Sequence, residues 1–231
     1  MRYVIAICAM LAVATPAAAQ ATYVGGSVVF DIARFDKIMY DDEDLARVSP
    51  ARSVDGEATG FNLRVGRALG ERWGVEFEFA RSGEIENSES YGVPFLTDFA
   101  LLPPELSLLP IADFQFEVET EQRYTNYGAL AWIRQDLGDR VDLTYLGGVV
   151  FNRNDIDQDV RITDTRLAQW MTVIPDMSVR EYSIAPVVGI DAGFKLGEAA
   201  AITAGLRAQG AAGGGRTGLL LRPNIGVRWT F

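Results

Sequence analysis

Residues Leu221 to Phe231 read LRPNIGVRWTF, and this stretch decides the class of fold. Apolar and polar residues alternate along it without a break. A period of two is the pattern of a β-strand whose two faces meet different surroundings. One face carries Leu221, Pro223, Ile225, Val227, Trp229 and Phe231, and the other carries Arg222, Asn224, Gly226, Arg228 and Thr230. The stretch therefore predicts a long strand that is apolar on one side only.

The same alternation recurs between three short turns of similar sequence. Each turn places glycine next to a charged residue in a run of four residues, which is typical of a tight hairpin connection. These turns are Leu69–Arg72, Leu137–Arg140 and Leu196–Ala199. Together with the longer connections they predict eight strands: Thr22–Phe35, Glu57–Ala68, Trp73–Arg81, Phe114–Arg134, Val141–Arg153, Val179–Lys195, Ala200–Ala208 and Gly218–Phe231.

Four longer stretches alternate with the three short turns. We expect irregular loops at Asp36–Gly56, Ser82–Asp113, Asn154–Ser178 and Gln209–Thr217. Short turns at one end and long loops at the other are the layout of outer-membrane barrels, whose strands need about 9–11 residues to span the bilayer. Residues 22–231 are therefore predicted to form an all-β, eight-stranded antiparallel up-and-down transmembrane β-barrel, with four long outer loops and three short periplasmic turns.

Periodicity alone does not separate a membrane barrel from a soluble one, because only the facing of the apolar residues differs. Two features favour the membrane. Several glycines lie on the polar face, which suits a crowded interior, and aromatic residues lie near both ends of the strands, as in the two girdles of a membrane barrel. The aromatic residues in question are Trp73, Phe194, Trp229 and Phe231 near the turns, and Phe30, Phe79, Phe151 and Tyr182 near the loops.

The beginning of the chain indicates export. Arg2 is followed by an apolar run from Tyr3 to Val13 and by a stretch of small residues, which is the composition of a secretory signal peptide. We therefore expect residues 1–21 to be cleaved, after either Ala19 or Ala21. The single cysteine, Cys8, lies within this segment, so the barrel is expected to contain no disulfide.

The charge balance limits the classes of partner. The chain has 21 basic and 31 acidic residues, which argues against binding to nucleic acid. The four predicted loops hold 17 of the acidic and six of the basic residues. Such loops favour either a solvated surface, divalent-ion bridging to lipopolysaccharide, or recognition of a basic partner.

Charged residues on the polar face are expected to pair inside the barrel, because buried charges need partners. The predicted interior charge network comprises Asp31, Arg64, Glu76, Glu78, Asp142, Asp191, Lys195, Arg207, Arg222 and Arg228. Since these side chains would fill a narrow lumen, wide-pore conduction is not expected. We also expect serine at Gly66 or Gly226 on this face to be milder than arginine at Val65 or Val227 on the other.

The second predicted loop contains a run of apolar residues broken by proline. Two interpretations stay open: a helix or cap folded over the barrel mouth, or an exposed patch that binds a surface ligand. The residues that would form such a binding loop are Phe95, Leu96, Phe99, Leu101 and Leu102.

On these features the chain resembles the small outer-membrane β-barrels of the OmpA/OmpX and opacity surface-antigen type. The resemblance covers the signal peptide, the strand count, the turn layout and the terminal aromatic residue. It implies that Pro223, Ile225, Val227, Trp229 and Phe231 act as the signal read by the barrel-assembly machinery. It also implies a location in the outer membrane of a Gram-negative bacterium, among its lipids and lipopolysaccharide.

The resemblance implies a surface-exposed structural or interaction protein, similar to an adhesin or surface antigen, with a host molecule or surface ligand as partner. A small porin-like channel or transporter for a small or hydrophobic solute is the alternative. Barrel enzymes of this size class use a catalytic histidine, and this chain has none. Glu76 and Glu78 are better explained as partners of interior arginines than as a catalytic pair, so we expect no enzyme, no cofactor and no metal.

Overall fold

The computed structural model describes residues 21–35, 54–92, 114–164, 169–171, 177–213 and 216–231. Within them the chain is all β-strand and tight turn. The strands are β1 (Thr22–Phe35), β2 (Gly56–Ala68), β3 (Trp73–Arg81), β4 (Ile85–Gly92), β5 (Phe114–Asp136), β6 (Val141–Asp164), β7 (Gln169–Met171), β8 (Met177–Lys195), β9 (Ala200–Gly213) and β10 (Arg216–Thr230). No helix in these ranges is long and apolar enough to cross a membrane.

Eight of the described strands close into one ring, and every pairing is antiparallel. The order around the ring is β5-β3-β2-β1-β10-β9-β8-β6, and β6 returns to β5. The two short strands β4 and β7 lie outside this ring, on the outer parts of β5 and β6. The prediction of an eight-stranded antiparallel barrel is confirmed.

The first and last strands meet along most of their length and close the barrel. Tyr23 lies opposite Thr230 and Phe35 lies opposite Gly218. The N–H of Phe231 donates to the carbonyl of Thr22 at 2.8 Å, so the backbone pairing continues beyond the last strand residue.

The three predicted turns form as expected at the opposite end from the long connections. In each, the N–H of the leucine donates to the carbonyl of the residue that opens the next strand. The pairs are Leu69 with Trp73, Leu137 with Val141, and Leu196 with Ala200, at 2.8–3.0 Å. Gly138 has a φ of 141°, a conformation that a side chain would strain.

Three of the predicted irregular loops were wrong in part, because strands continue into them. β4 lies within 82–113, β6 runs eleven residues past Arg153 and is followed by β7, and the region 209–217 belongs largely to β9 and β10. The physical reason is visible in β6, where Asp155 and Asp157 point outward while Ile156 between them is fully buried. This acid-rich stretch is therefore a strand with one solvent-exposed face, rather than a solvated loop.

The two faces of the ring differ as the alternation requires. Apolar side chains outside are exposed, among them Val28, Leu63, Ile184, Val188 and Val227, each at least 46% accessible. Their chain neighbours on the inner face are buried, and many of these are charged. This inverts the arrangement of a soluble barrel and matches a wall that meets lipid.

Candidate functional site

The interior of the barrel holds charged and polar side chains in successive levels. At the turn end, Arg228 Nη2 donates to Asp142 Oδ2 at 2.6 Å. Arg134 lies 3.9 Å from the other oxygen of Asp142 and packs on the Trp132 ring, 4.8 Å from its centre. This level, which we call the lower level, therefore joins two arginines to one fully buried carboxylate.

The middle level is built around Asp191. Arg207 binds it through two parallel hydrogen bonds of 2.7 and 3.0 Å, and Arg64 binds it at 2.6 Å. Arg207 also donates to Glu78 at 3.3 Å, while Arg64 donates to Thr203 at 2.6 Å. Bidentate arginine–carboxylate pairs are among the strongest hydrogen bonds in proteins.

Glu76 extends this level toward the turns. Tyr23 donates its hydroxyl to Glu76 Oε2 at 2.6 Å, and Arg207 lies 3.8 Å from Glu76 Oε1. Tyr23 in turn packs against Trp132, with ring centres 6.2 Å apart. A buried aromatic pair thus connects the middle level to the lower level.

The upper level centres on Arg222, which is fully buried and donates to Asp31. With its carboxamide oxygen assigned toward Arg222, Asn126 accepts from both terminal nitrogens of the guanidinium, at 2.7 and 2.9 Å. Gln209 donates to Asn152 at 3.0 Å beside them. The arginine is therefore held by one carboxylate and one amide that lie on different strands.

An apolar cluster lies above the upper level, toward the long connections. It contains Ala33, Phe35, Val54, Ile85, Tyr124, Ala211 and Leu220, all nine-tenths buried or more. A second apolar cluster lines the β5–β6–β8 side of the lumen and includes Leu130, Leu146 and Val187. Together with the charged levels they fill the described interior with side chains.

The structure places nine of the ten predicted network residues inside the barrel, each at most 7% exposed. Lys195 is the exception, and it does not belong to the interior charge network. Lys195 lies at the turn-side rim, where its amine is 3.0 Å from Asp136 and its side chain is about one-third exposed. The period-two pattern assigned Lys195 to the inner face, but β8 ends there, so its long side chain reaches water.

The charge pattern of the sequence missed the uncharged members of these levels. Tyr23, Asn126, Asn152, Thr203 and Gln209 all lie on the inward register of their strands. The sequence did contain the information needed to find them, because the number of each residue differs by an even number from that of an interior charged residue or glycine. A polar residue on the inward register therefore predicts a member of the network, whether or not it is charged.

Glycines give these side chains their space. A carbon added at Gly205 would overlap the Asp191 carboxylate, and one added at Gly66 would overlap the Tyr23 ring. At Gly226 it would overlap the backbone carbonyl of Gly26. The structure argues against the expectation that serine is mild at Gly66 and Gly226, because neither position has room for one more carbon unless a neighbour moves.

Beyond the ring, β4, β5, β6 and the outer part of β8 continue as a sheet, which we call the projecting sheet. β5 and β6 remain paired as far as Phe114 opposite Asp164, eleven pairs past Thr125 opposite Arg153. At about 3.3 Å per residue this is roughly 35 Å of paired strand. The inward side chains Ile85, Gln122 and Ile156 are fully buried or nearly so.

The outward face of the projecting sheet is charged. Three acidic residues lie side by side on adjacent strands, with Glu86 opposite Glu121 and Glu121 opposite Asp157. Glu119 and Asp159 are opposite each other in the next outward row and share Arg161, at 2.9 and 3.5 Å. Acidic side chains therefore outnumber basic ones over these two rows.

Asp155 makes two ion pairs nearer the barrel. Its Oδ1 accepts from Arg180 Nε at 2.7 Å and from Arg153 Nη2 at 3.0 Å. Partial burial raises the pKa of Asp155, but the hydrogen bonds from Arg180 and Arg153 outweigh it, so the pKa lies below its ordinary value.

Two other predicted sites lie elsewhere in the chain. The predicted assembly signal lies on the outer wall, where Ile225, Val227, Trp229 and Phe231 are more than half exposed and Pro223 is partly covered. The predicted binding-loop residues Phe95, Leu96, Phe99, Leu101 and Leu102 lie outside the described residues. The roles of both sets stay predictions.

The described residues hold no group of three or more His, Cys, Asp or Glu side chains placed to bind a metal ion. The interior carboxylates instead face arginines. The chemistry of the interior is thus ion pairing.

A closed antiparallel ring with an exposed apolar outer wall and a charged interior defines a transmembrane β-barrel. Residues 5–208 match the family model of the outer membrane protein beta-barrel domain, so the chain belongs to this family. It is accordingly a protein of the Gram-negative outer membrane.

Solved barrels resemble it at low sequence identity. Ail, the attachment invasion locus protein of Yersinia pestis, is 13% identical, with a TM-score of 0.49 over 92% of this chain and 99% of Ail. OprG of Pseudomonas aeruginosa is 10% identical, with a TM-score of 0.47 over 92% of this chain and 96% of OprG. Comparison with curated proteins finds no match.

Proposed function

We propose that the protein is a surface-exposed structural or interaction protein whose closed barrel anchors the projecting sheet outside the outer membrane. The observation that supports this most directly is the contrast between the two parts. The lumen is occupied by arginine–carboxylate levels and an apolar cluster, whereas β5 and β6 continue as roughly 35 Å of paired strand past Thr125 and Arg153. Binding residues commonly lie on such extensions of a rigid scaffold.

The filled lumen argues against the porin-like alternative. An eight-stranded barrel is just wide enough for side chains to fill it. Here Trp132, Arg207, Arg222 and Leu220 are among the largest fully buried side chains, and they lie at different levels of the lumen. Opening a path would separate buried ion pairs, which is costly.

The absence of cysteine from residues 22–231 allows the proposed orientation to be tested directly. Single cysteines replace Glu121 and Asp157 on the projecting sheet, and Glu198 in a turn serves as the matched control. All three side chains are exposed and acidic. On intact cells a membrane-impermeant maleimide is expected to label positions 121 and 157 and to spare position 198. Labelling of Glu198→Cys alone would place the projecting sheet in the periplasm and overturn the proposal.

Interaction is tested by reversing charge on the same face. Cells that carry Glu86→Lys, Glu121→Lys and Asp157→Lys together are compared with the parent in self-aggregation and in cross-linking through a single thiol introduced by Glu119→Cys. We expect self-aggregation and cross-linking to change. The amount of protein at the cell surface and its heat-modifiable mobility on gels should stay the same. Unchanged self-aggregation and cross-linking, together with a steady conductance of the parent in planar bilayers, would favour the porin-like alternative.

Outer-membrane lipid and lipopolysaccharide, the barrel-assembly machinery and a host molecule are the partners that this role implies. Residues Ser90–Leu109 are proposed as a further binding element, and replacing them by a short Gly-Ser linker is expected to leave a heat-modifiable, protease-resistant barrel with reduced binding to cells or partners. A replacement that fails to fold would instead assign the segment to the core.

A further inference from the structure

Five aromatic rings form a continuous belt on the outer wall at the loop end. Phe61, Phe79, Tyr127, Phe151 and Tyr182 follow one another on β2, β3, β5, β6 and β8, with neighbouring ring centres 5.3–6.4 Å apart. Aromatic belts lie at the boundary between hydrocarbon and headgroups. The belt therefore marks the depth at which the hydrocarbon of the outer leaflet ends.

Arginines follow the belt on the outward side of the same strands. Arg81 is two residues beyond Phe79, Arg153 is two beyond Phe151, and Arg180 is two beyond Tyr182 on a strand that runs the other way. A spacing of two keeps each arginine on the same face as its ring. These guanidiniums consequently lie at the level of lipid headgroups.

Asp155 holds two of these arginines side by side. Arg153 uses its Nε and Nη2 on this carboxylate, at 3.2 and 3.0 Å, and Arg180 uses its Nε, at 2.7 Å. Each guanidinium has five N–H donors, so several remain for another acceptor. Two positive charges over one carboxylate leave a net charge of about +1 at a preorganised pair.

The sign of the charge reverses one register row farther out. Glu121 and Asp157 are opposite each other there, and Glu86 is next to Glu121. Basic character on this face is therefore concentrated next to the aromatic belt. An anion confined to the membrane surface fits this distribution, whereas a large soluble polyanion would be repelled by the outer rows.

We propose that Arg153 and Arg180, held by Asp155, bind the phosphate group of an outer-leaflet lipid. The planar guanidiniums match the geometry of phosphate oxygens, and the belt below them packs on the acyl chains of the same lipid. Arg81, two strands away and about 10 Å from Arg153, flanks this site. The inference deepens the proposed surface role and rests on its outward orientation.

The test compares lipid retention by purified barrels in detergent micelles. The probe is lipid A with both phosphates, and the matched probe is the same lipid after removal of its phosphates. The variant Arg153→Gln/Arg180→Gln is compared with Arg161→Gln, which lies on the same face of β6 but in the acidic zone. Native mass spectrometry counts the lipid retained, and titration measures its affinity.

We expect the double variant to bind lipid A about 25-fold more weakly than the parent, since each of the two basic residues contributes about fivefold near a membrane surface. Arg161→Gln is expected to match the parent, and the dephosphorylated lipid is expected to bind the parent and the double variant equally weakly. Unchanged affinity of the double variant would overturn the proposal. So would dephosphorylated lipid that binds the parent as tightly as lipid A, or displacement of lipid A by inorganic phosphate at equal concentration.

The cysteine-labelling pattern keeps the two proposals separable. If positions 121 and 157 label from outside but the double variant retains lipid A, the lipid site is wrong and the surface role stands. If the labelling is inverted, the surface role fails whatever lipid A does.

Discussion

Two arginines of this barrel have similar partners and opposite surroundings. Arg207 binds Asp191 with a side chain that is 1% exposed, whereas Arg161 binds Glu119 with a side chain that is 42% exposed. The shortest contacts of the two pairs are nearly equal, at 2.7 and 2.9 Å. The geometry of an ion pair therefore says little about its contribution, because removal of one partner leaves a desolvated charge inside and a hydrated charge outside.

The largest effect is expected from Arg207→Ala. The variant leaves Asp191 with only Arg64 and leaves Glu78 without its ion-pair partner in the described interior. We expect the free energy of unfolding to fall by about 3–5 kcal/mol, the usual cost of breaking a buried pair. Urea unfolding in lipid vesicles, followed by tryptophan fluorescence, measures the change. A loss comparable to that of Arg161→Ala would show that water reaches the middle level.

A second comparison uses neighbouring residues on opposite faces. Arginine is native at position 228, where it pairs with Asp142, but Val227 beside it is 60% exposed to the lipid side. Val227→Arg is expected to be destabilising, by at most the about 2–4 kcal/mol that arginine costs at the bilayer midplane, because Val227 lies two residues from the girdle residue Trp229. Val65→Arg probes the same wall on β2, and Val227→Leu is the control. If both arginine variants fold in vesicles as well as the leucine control, the assignment of Val227 and Val65 to the lipid side would be wrong.

The packing around Asp191 is tested by one added methyl group. Gly205→Ala drives a carbon into the Asp191 carboxylate, which must then leave Arg207 or Arg64. Overpacking of this kind costs about 1–3 kcal/mol. Gly197→Ala in a turn is the matched control, because nothing lies within 4 Å of its added carbon. Equal stability of the two variants in urea would mean that the middle level rearranges freely.

The smallest effect is expected from Arg161→Ala on the projecting sheet. Exposed pairs contribute about 0.2–1 kcal/mol, and salt screens them. The difference between variant and parent should therefore shrink between low and high ionic strength in the same unfolding assay. A salt-independent loss above about 1 kcal/mol would indicate that the Arg161–Glu119 pair is shielded from solvent.

The acidic stretch of β6 is a strand where the sequence predicted a loop. Asp155, Asp157 and Asp159 suggested a solvated loop, although Ile156 between the first two kept the period of two. The strand persists because its inward Ile156 is fully buried in one row with Gln122 and Ile85 of the neighbouring strands, whose side chains cover it from the side. Local composition cannot supply that cover, since it comes from residues distant in the chain.

The pairing of interior charges shows the same limit more clearly. The pattern assigned Arg64 and Asp191 to the inner face, but they are 127 residues apart and form a pair only in the closed ring. Strand stagger, rather than sequence, sets which inward residues share a level. Lys195 lies outside the interior charge network for a related reason, because the end of β8 places it at the rim.

The sequence by itself determined the number of ring strands, which residues of a strand share a face, and the three turns, because a period of two and short glycine-containing connections are local properties of the chain. Only the tertiary structure decided how far the strands project, which arginine meets which carboxylate, and that Arg153 and Arg180 share Asp155 beside the aromatic belt. These features depend on register and closure of the ring, which bring together side chains that no local pattern relates.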